Sequence, residues 1–195
     1  WQEVDRLKLS PDFDPREYFN RYKNAAYWQD LLIGRVLRIL EKNDRLQDTI
    51  VIVTSDHGEE FNDSKLNYWG HNGNFSDAQI KIPLVIAWPG MPAQQITHRT
   101  TAYDVGTTLL KRVLAVQNPI EDFSVGKDLF DPEGREVFFV GSYNEDAIVA
   151  GDEVLLIKMS GALEGHSLKD WKEIDAAPLK KWVPAYLQMR GKYRQ

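Results

Sequence analysis

Hydrophobic positions recur along the chain with two different periods. From Glu17 to about Lys42, Ala25, Ala26, Leu32, Ile33, Val36, Leu37 and Leu40 return every three or four residues, which predicts one long helix ended by Asn43-Asp44. Thr49 to Thr54 is a continuous β-branched run, the pattern of a central strand buried on both faces of a parallel sheet. Ile82 to Trp88 predicts a second buried strand, stopped by Pro89-Gly90, and Tyr103 to Val116 is helical again. Glu136 to Val140 reads as a strand, and Ala147–Ala150 and Glu153–Lys158 flank Gly151-Asp152, a two-residue hairpin signal. A short helix near Pro178 to Met189 closes the chain, with Pro184 expected to interrupt it. The polar stretch up to Pro15 reads as an extended lead-in. Helix followed by buried strand is the pattern of an α/β fold. The expected organisation is an α/β portion over residues 1–135, then a small antiparallel sheet and C-terminal helix over 136–195.

Composition narrows this picture only a little. The chain has 195 residues, 43% hydrophobic and 11% aromatic, enough for a real core. The longest nearly apolar run, Ile82 to Pro89, falls far short of the roughly 18 residues of a membrane span. The chain opens on Trp1 without an initiating Met, which reads as a piece of something longer. No cysteine is present, so disulfides, thiolate metal sites and Cys nucleophiles are excluded. There are 24 basic and 29 acidic residues, and five of the cations (Lys180, Lys181, Arg190, Lys192, Arg194) fall in the acid-free stretch from Leu179 onward. The remaining acidic body argues against a nucleic-acid partner. The basic tail, with Trp182, Tyr186 and Tyr193, suits either anionic lipid head groups or a phosphorylated ligand, or else a short amphipathic helix with its cations in water.

Residues 55–79 form a polar segment dense in Gly, Asn and Asp, longer than the about 12–15 residues usual for loops in compact domains. It opens with Ser55-Asp56-His57-Gly58-Glu59-Glu60, directly after the Thr49–Thr54 run. Ligands of open α/β sheets bind beyond the carboxyl ends of strands, where a carboxylate and an imidazole can converge on one cation. Oxygen and nitrogen donors suit zinc, manganese or magnesium. Gly58 would let the backbone pass close to what is bound. The plainer alternative makes Asp56 a turn cap and His57 a loop residue. Gly70-His71-Asn72-Gly73-Asn74 follows, with residues that tolerate left-handed conformations and can fold His71 back toward the first group, as a ligand or as a contact to an anionic oxygen. His71 could equally be uninvolved in a surface loop. His98 and His166 lack clustered partners and read as surface residues. Gly161–Ser167 departs from the phosphate-binding loop in spacing and lacks its Lys.

Five ordered segments carry a family resemblance. Tyr22–Tyr27 with Asp30–Gly34 and Leu37–Leu40, then Asp48–Glu59, Ile82–Gly90, Tyr103–Leu110 and Gly126–Phe130 resemble the sulfatase/alkaline-phosphatase superfamily. Within it, Ile82 to Phe130 is most similar to the inner-membrane sulfatase-like proteins of Gram-negative bacteria. The resemblance implies part of an alkaline-phosphatase-like α/β/α sandwich. It implies Asp56 and His57 as paired ligands of a divalent metal ion (zinc, manganese, magnesium or calcium), and His71 as the substrate-binding residue near a bound phosphate or sulfate. It also implies a nucleophile and further carboxylates upstream of residue 17, so this chain alone is expected to be inactive and to hold a metal weakly. The implied setting is the periplasmic face of the inner membrane, through a membrane domain preceding this chain. The implied partner is a sulfate- or phosphate-bearing substrate or lipid. A metal-dependent sulfate or phosphate ester hydrolase leads. A non-catalytic module sensing lipopolysaccharide or phospholipid, and a phosphoethanolamine-type transferase, are the alternatives.

Overall fold

A computed structural model describes residues 5–193. These residues divide into two compact units, with the boundary between Ala93 and Gln94.

In the first unit, a 3-10 turn at Arg6–Lys8 and a turn near Pro11 stand where an extended lead-in is expected. Helix α1 spans Arg16–Lys42. Asn43 ends it, its side-chain amide donating to the Ile39 carbonyl at 2.7 Å while Asp44 turns left-handed at φ 53°. Strand β1 is Val51–Thr54, followed by the two-residue strands β2 (Glu60–Phe61) and β3 (Trp69–Gly70), the single turn of helix α2 (Asp77–Ile80) and strand β4 (Leu84–Ala87). β2 pairs with β3, and β1 with β4 in the register Val51↔Ala87 to Thr54↔Leu84.

Both pairings are antiparallel, which corrects the expectation of a parallel central strand. A β-branched run reports a pleated backbone and apolar neighbours; it does not encode the direction of the strand beside it. Nor is β1 buried on both faces, since Val51 to Val53 are half-buried and Val85 on β4 is 63% exposed. The first turns of α1 pack on β2. Tyr18, Phe19 and Tyr22 each set a ring edge-on to Phe61, with centroids 5.2–5.3 Å away.

The second unit begins before helix α3 (Ala102–Arg112) and is dominated by a five-stranded antiparallel meander: β5 (Val137–Gly141), β6 (Glu145–Ala150), β7 (Glu153–Lys158), β8 (Leu163–Ser167) and β9 (Glu173–Ile174). Gly151, at φ 57°, turns the β6–β7 hairpin where the sequence expects it. β8 and β9 extend the sheet beyond the expected hairpin. Asp104 caps α3 by accepting from the Thr101 amide at 2.7 Å, accepts the Lys127 amide at 2.8 Å, and pairs with the Arg135 guanidinium.

A 3-10 turn at Ala177–Trp182 runs into the terminal helix α4, Val183–Tyr193. Pro184 therefore sits in the first turn of α4, where its missing N–H costs nothing, rather than interrupting a helix. Leu179 and Tyr186 pack on Ile148 and Leu155 of the sheet. Arg190 reaches the Tyr186 hydroxyl at 3.1 Å, and Tyr186 in turn donates to Asp146. The tail is thus a packed helix; Arg194 lies outside the described residues. No helix among the described residues is long and apolar enough to cross a membrane.

Candidate functional site

The site grows from the carboxyl end of β1. Ser55 turns the chain by donating its hydroxyl to the His57 carbonyl at 2.8 Å, and the His57 amide donates to Asp56 Oδ1 at 3.1 Å. His57 Nδ1 lies 2.8 Å from the Gly58 carbonyl, which can only accept, so the proton is on Nδ1 and the Nε2 lone pair is left for another partner. Gly58 then passes against α2: its amide donates to the Gln79 carbonyl at 2.8 Å, and an added Cβ would stand 2.2 Å from the Ala78 carbonyl oxygen. The close approach expected at Gly58 is to the protein's own backbone.

β3 returns the chain beside β2, with Glu60 opposite Gly70. Gly70 at φ 94° and Asn72 at φ 64° make the left-handed turns anticipated from their residue types. His71 emerges between them. Its Nδ1 donates to Glu59 Oε2 at 2.9 Å, and its ring lies over that of His57, 3.9 Å between centroids with a 31° tilt. Tyr18 of α1 reaches Glu59 Oε1 at 3.4 Å. Among the described residues, His57, Glu59 and His71 are the group of His and acidic side chains whose ligand atoms all lie within 4.8 Å of one another.

Asp56 stands at the edge of this group. Its Oδ2 is 3.7 Å from His57 Nε2, and its side chain is 86% exposed. A hydrogen bond accepted from its own backbone amide, with a further one from the His57 amide, holds its carboxyl below the usual range. The structure therefore brings Asp56, His57 and His71 together and adds Glu59, which the sequence reading passed over. Its signal was available: of two adjacent acids in a strand entering a site, alternation sends one to each face. The other, Glu60, is fully buried, as is the neighbouring Asn62.

The remaining histidines lie elsewhere. His98 is half-buried, with Nε2 3.1 Å from the Leu129 carbonyl. His166 corrects its expected surface position: it is 6% exposed and stacks flat on Trp171, 4.3 Å between centroids. It belongs to strand β8, paired between β7 and β9, so Gly161–Ser167 is a turn and a strand and no phosphate loop. A cleft of about 460 Å³ at the end of the second unit's sheet is lined by Tyr143, Met159, Leu187 and Arg190.

Comparison with known proteins bears on this geometry. A sulfatase family model matches residues 3–113. The inner membrane protein YejM of Salmonella typhimurium is 29% identical over 167 residues, 83% of this chain and 28% of its own length. Steryl-sulfatase of Rattus norvegicus is 30% identical over 132 residues, 62% of this chain and 23% of that enzyme. This chain thus spans about a quarter of the length of these relatives. Among solved structures, one in complex with its substrate D-glucosamine-2-N,6-O-disulfate superposes at a TM-score of 0.60 with 20% identity, covering 83% of this chain and 38% of its own. The phosphonate monoester hydrolase of Agrobacterium radiobacter superposes at 0.57 with 22% identity, covering 84% and 38%. At such identities these structures establish the fold, an alkaline-phosphatase-like α/β architecture.

Proposed function

This chain belongs to the sulfatase family, and on that premise we propose that it forms part of a metal-dependent hydrolase of sulfate or phosphate esters, working at the periplasmic face of a bacterial inner membrane. The observation that carries this reading is the convergence of His57, Glu59 and His71 just beyond β1, with Asp56 beside them. Each imidazole has its Nδ1 engaged by an oxygen acceptor, which leaves both Nε2 atoms available, as a lone pair toward a cation or, when protonated, as an N–H toward an anionic oxygen. A set of imidazole and carboxylate donors fits zinc or manganese, and carboxylates also suit magnesium or calcium.

Asp56 and His57 hold the ion. Glu59, accepting from Nδ1, orients His71, whose Nε2 meets the anionic group of the ester as an N–H donor. Bound there, the ion would lend positive charge to the ester oxygens. The likeness to the inner membrane protein YejM over most of this chain supports the membrane setting, and a non-catalytic envelope module that keeps the fold is the second reading.

Thermal melts with and without manganese or zinc, on this chain and on the whole protein, separate the two. The whole protein should gain stability from the ion by mass action, and Asp56→Ala should abolish the gain. This chain alone should shift little. An ion effect indifferent to Asp56→Ala, or none in the whole protein, favours the non-catalytic module.

A further inference from the structure

Behind the imidazole pair lies a buried acid that neither holds the ion nor meets the substrate in the reading above. Glu60 has no solvent exposure, yet its four side-chain partners are neutral donors. Ser64 Oγ donates to Oε1 at 2.8 Å. Gln79 Nε2 at 2.7 Å, Asn74 Nδ2 at 2.8 Å and Ser76 Oγ at 3.3 Å donate to Oε2. The network continues outward, because Gln79 Oε1 accepts the amides of Gly73 and Asn74 at 3.0 and 3.3 Å, and Asn74 Oδ1 accepts the Ser76 amide at 2.8 Å.

Burying a carboxylate among neutral donors is an expensive way to stabilise a fold. What a carboxylate offers is acceptor-only chemistry with about four lone-pair sites. Here four donors fill them, so each donor has one orientation, and the three segments that carry Glu60 and its donors have one arrangement. Those segments are the stretch just after His57 and Glu59, the turn at Ser64, and residues 73–79 just after His71. The Glu60 network reinforces the other ties between the two histidine-bearing stretches, which are the two-residue β2–β3 ladder, the His71–Glu59 hydrogen bond and the Gly58 amide on the Gln79 carbonyl.

We propose that Glu60 is the positioning residue of this site, its carboxylate clamping the residues behind His71 onto those behind His57 so that the two imidazoles meet. The proposal rests on the reading of His57, Glu59 and His71 as an ion site, but its geometric half does not need the ion. Glu60→Leu keeps the bulk and removes both acceptor oxygens from Ser64, Asn74, Ser76 and Gln79. In the protein without metal, the stacked His57 and His71 rings should shift each other's proton resonances. Glu60→Leu should remove that mutual shift while the rest of the spectrum stays dispersed.

In a cobalt(II) titration of the whole protein read by visible absorption, the same variant should lose about 10–100-fold in affinity, as for outer-shell partners of metal ligands. Glu60→Gln, whose oxygen still accepts from Asn74, Ser76 and Gln79 while its NH2 turns to the Ser64 hydroxyl, should recover ring overlap and part of the affinity. Retained ring overlap and affinity in Glu60→Leu, with only a lower melting temperature, would overturn the proposal. If the unsubstituted whole protein binds no cobalt, the ion reading fails and ring overlap alone decides the clamp. If Glu60→Leu does not fold, Ser76→Ala, which removes one of the four donors, decides it: weakened overlap supports the clamp and unchanged overlap sinks it.

Discussion

In residues 94–193, Ile148, Val149, Val154 and Leu155 have no solvent exposure, and Leu179 and Tyr186 close over the sheet that carries them. In residues 5–93 the side chains without exposure are Glu60 and Asn62, and Phe61 and Phe75 are the buried hydrophobics among the described residues of that unit. α1, with 27 residues, buries none of its side chains; Val36 and Ile39 are 54% and 62% exposed. One unit is organised by hydrocarbon and the other by hydrogen bonds. Hydrophobic burial is non-directional and tolerates repacking. A satisfied polar network specifies single orientations and fails when one member is wrong. The unit that holds the site uses the second device, which suits a task that depends on where two imidazoles stand.

If that contrast is right, truncation should hurt the two units very unequally. Leu155→Ala should cost about 2–5 kcal/mol in urea unfolding, the usual range for a fully buried leucine. Val36→Ser on the exposed stripe of α1 should change stability by no more than about 0.5 kcal/mol. Comparable losses at both positions would mean that α1 is covered in solution, and the contrast would have to be redrawn.

The contrast also explains how much could be read from the sequence. Periodicity finds α1, α3 and the β6–β7 hairpin because each is a local pattern of apolar residues, with Gly151 marking the turn. It misses β8, where Gly165 and His166 dilute the apolar alternation of Leu163–Ser167. It also misjudges β1, since strand direction is set by the partner and not by the residues of the strand. In the site, Asp56, His57 and His71 stand out as residue types and Gly70 and Asn72 as turn formers. Glu59 and Glu60 do not, because two adjacent acids look like one solvated pair until the pleat separates them. The network through Asn74, Ser76 and Gln79 is invisible for the same reason: polar residues in a loop carry no sign of burial.

A packing change inside the polar unit should fall between these extremes. Gly58→Ala would place a methyl group 2.2 Å from the Ala78 carbonyl oxygen, a backbone atom that cannot swing away. The expected cost is about 1–3 kcal/mol by thermal or urea melting, with the Gly58–Gln79 hydrogen bond lengthened. The His57–His71 ring overlap should weaken with it, since Gly58 adjoins His57. A variant as stable as the original, with the imidazole resonances unmoved, would show that the polar unit is more pliant than its hydrogen bonds suggest.

The smallest expected effect belongs to the hydrocarbon unit and comes from one of the charge contacts on its surface. Asp170, in the turn between β8 and β9, accepts from the Lys172 ammonium at 2.6 Å. That hydrogen bond, then one from Ser167, lowers its carboxyl to about 2 from an ordinary 3.8. A carboxylate depressed in the folded state contributes stability that is fully present above its unfolded value, and loses it as the pH falls toward the folded value. The contribution should therefore be flat above about pH 4 and vanish between about pH 4 and 2. Asp170 faces solvent and Lys172 is 77% exposed, so the slope should be slight and should shrink further in added salt. Asp170→Asn should remove this part of the acid dependence, measured as the urea midpoint of the unit's unfolding at stepped pH. The hydrocarbon core should be indifferent to pH over the same interval. An acid slope unchanged in Asp170→Asn would assign it to other carboxylates, and Glu164, held below its ordinary value by Lys158 at the other end of β8, is the next to replace.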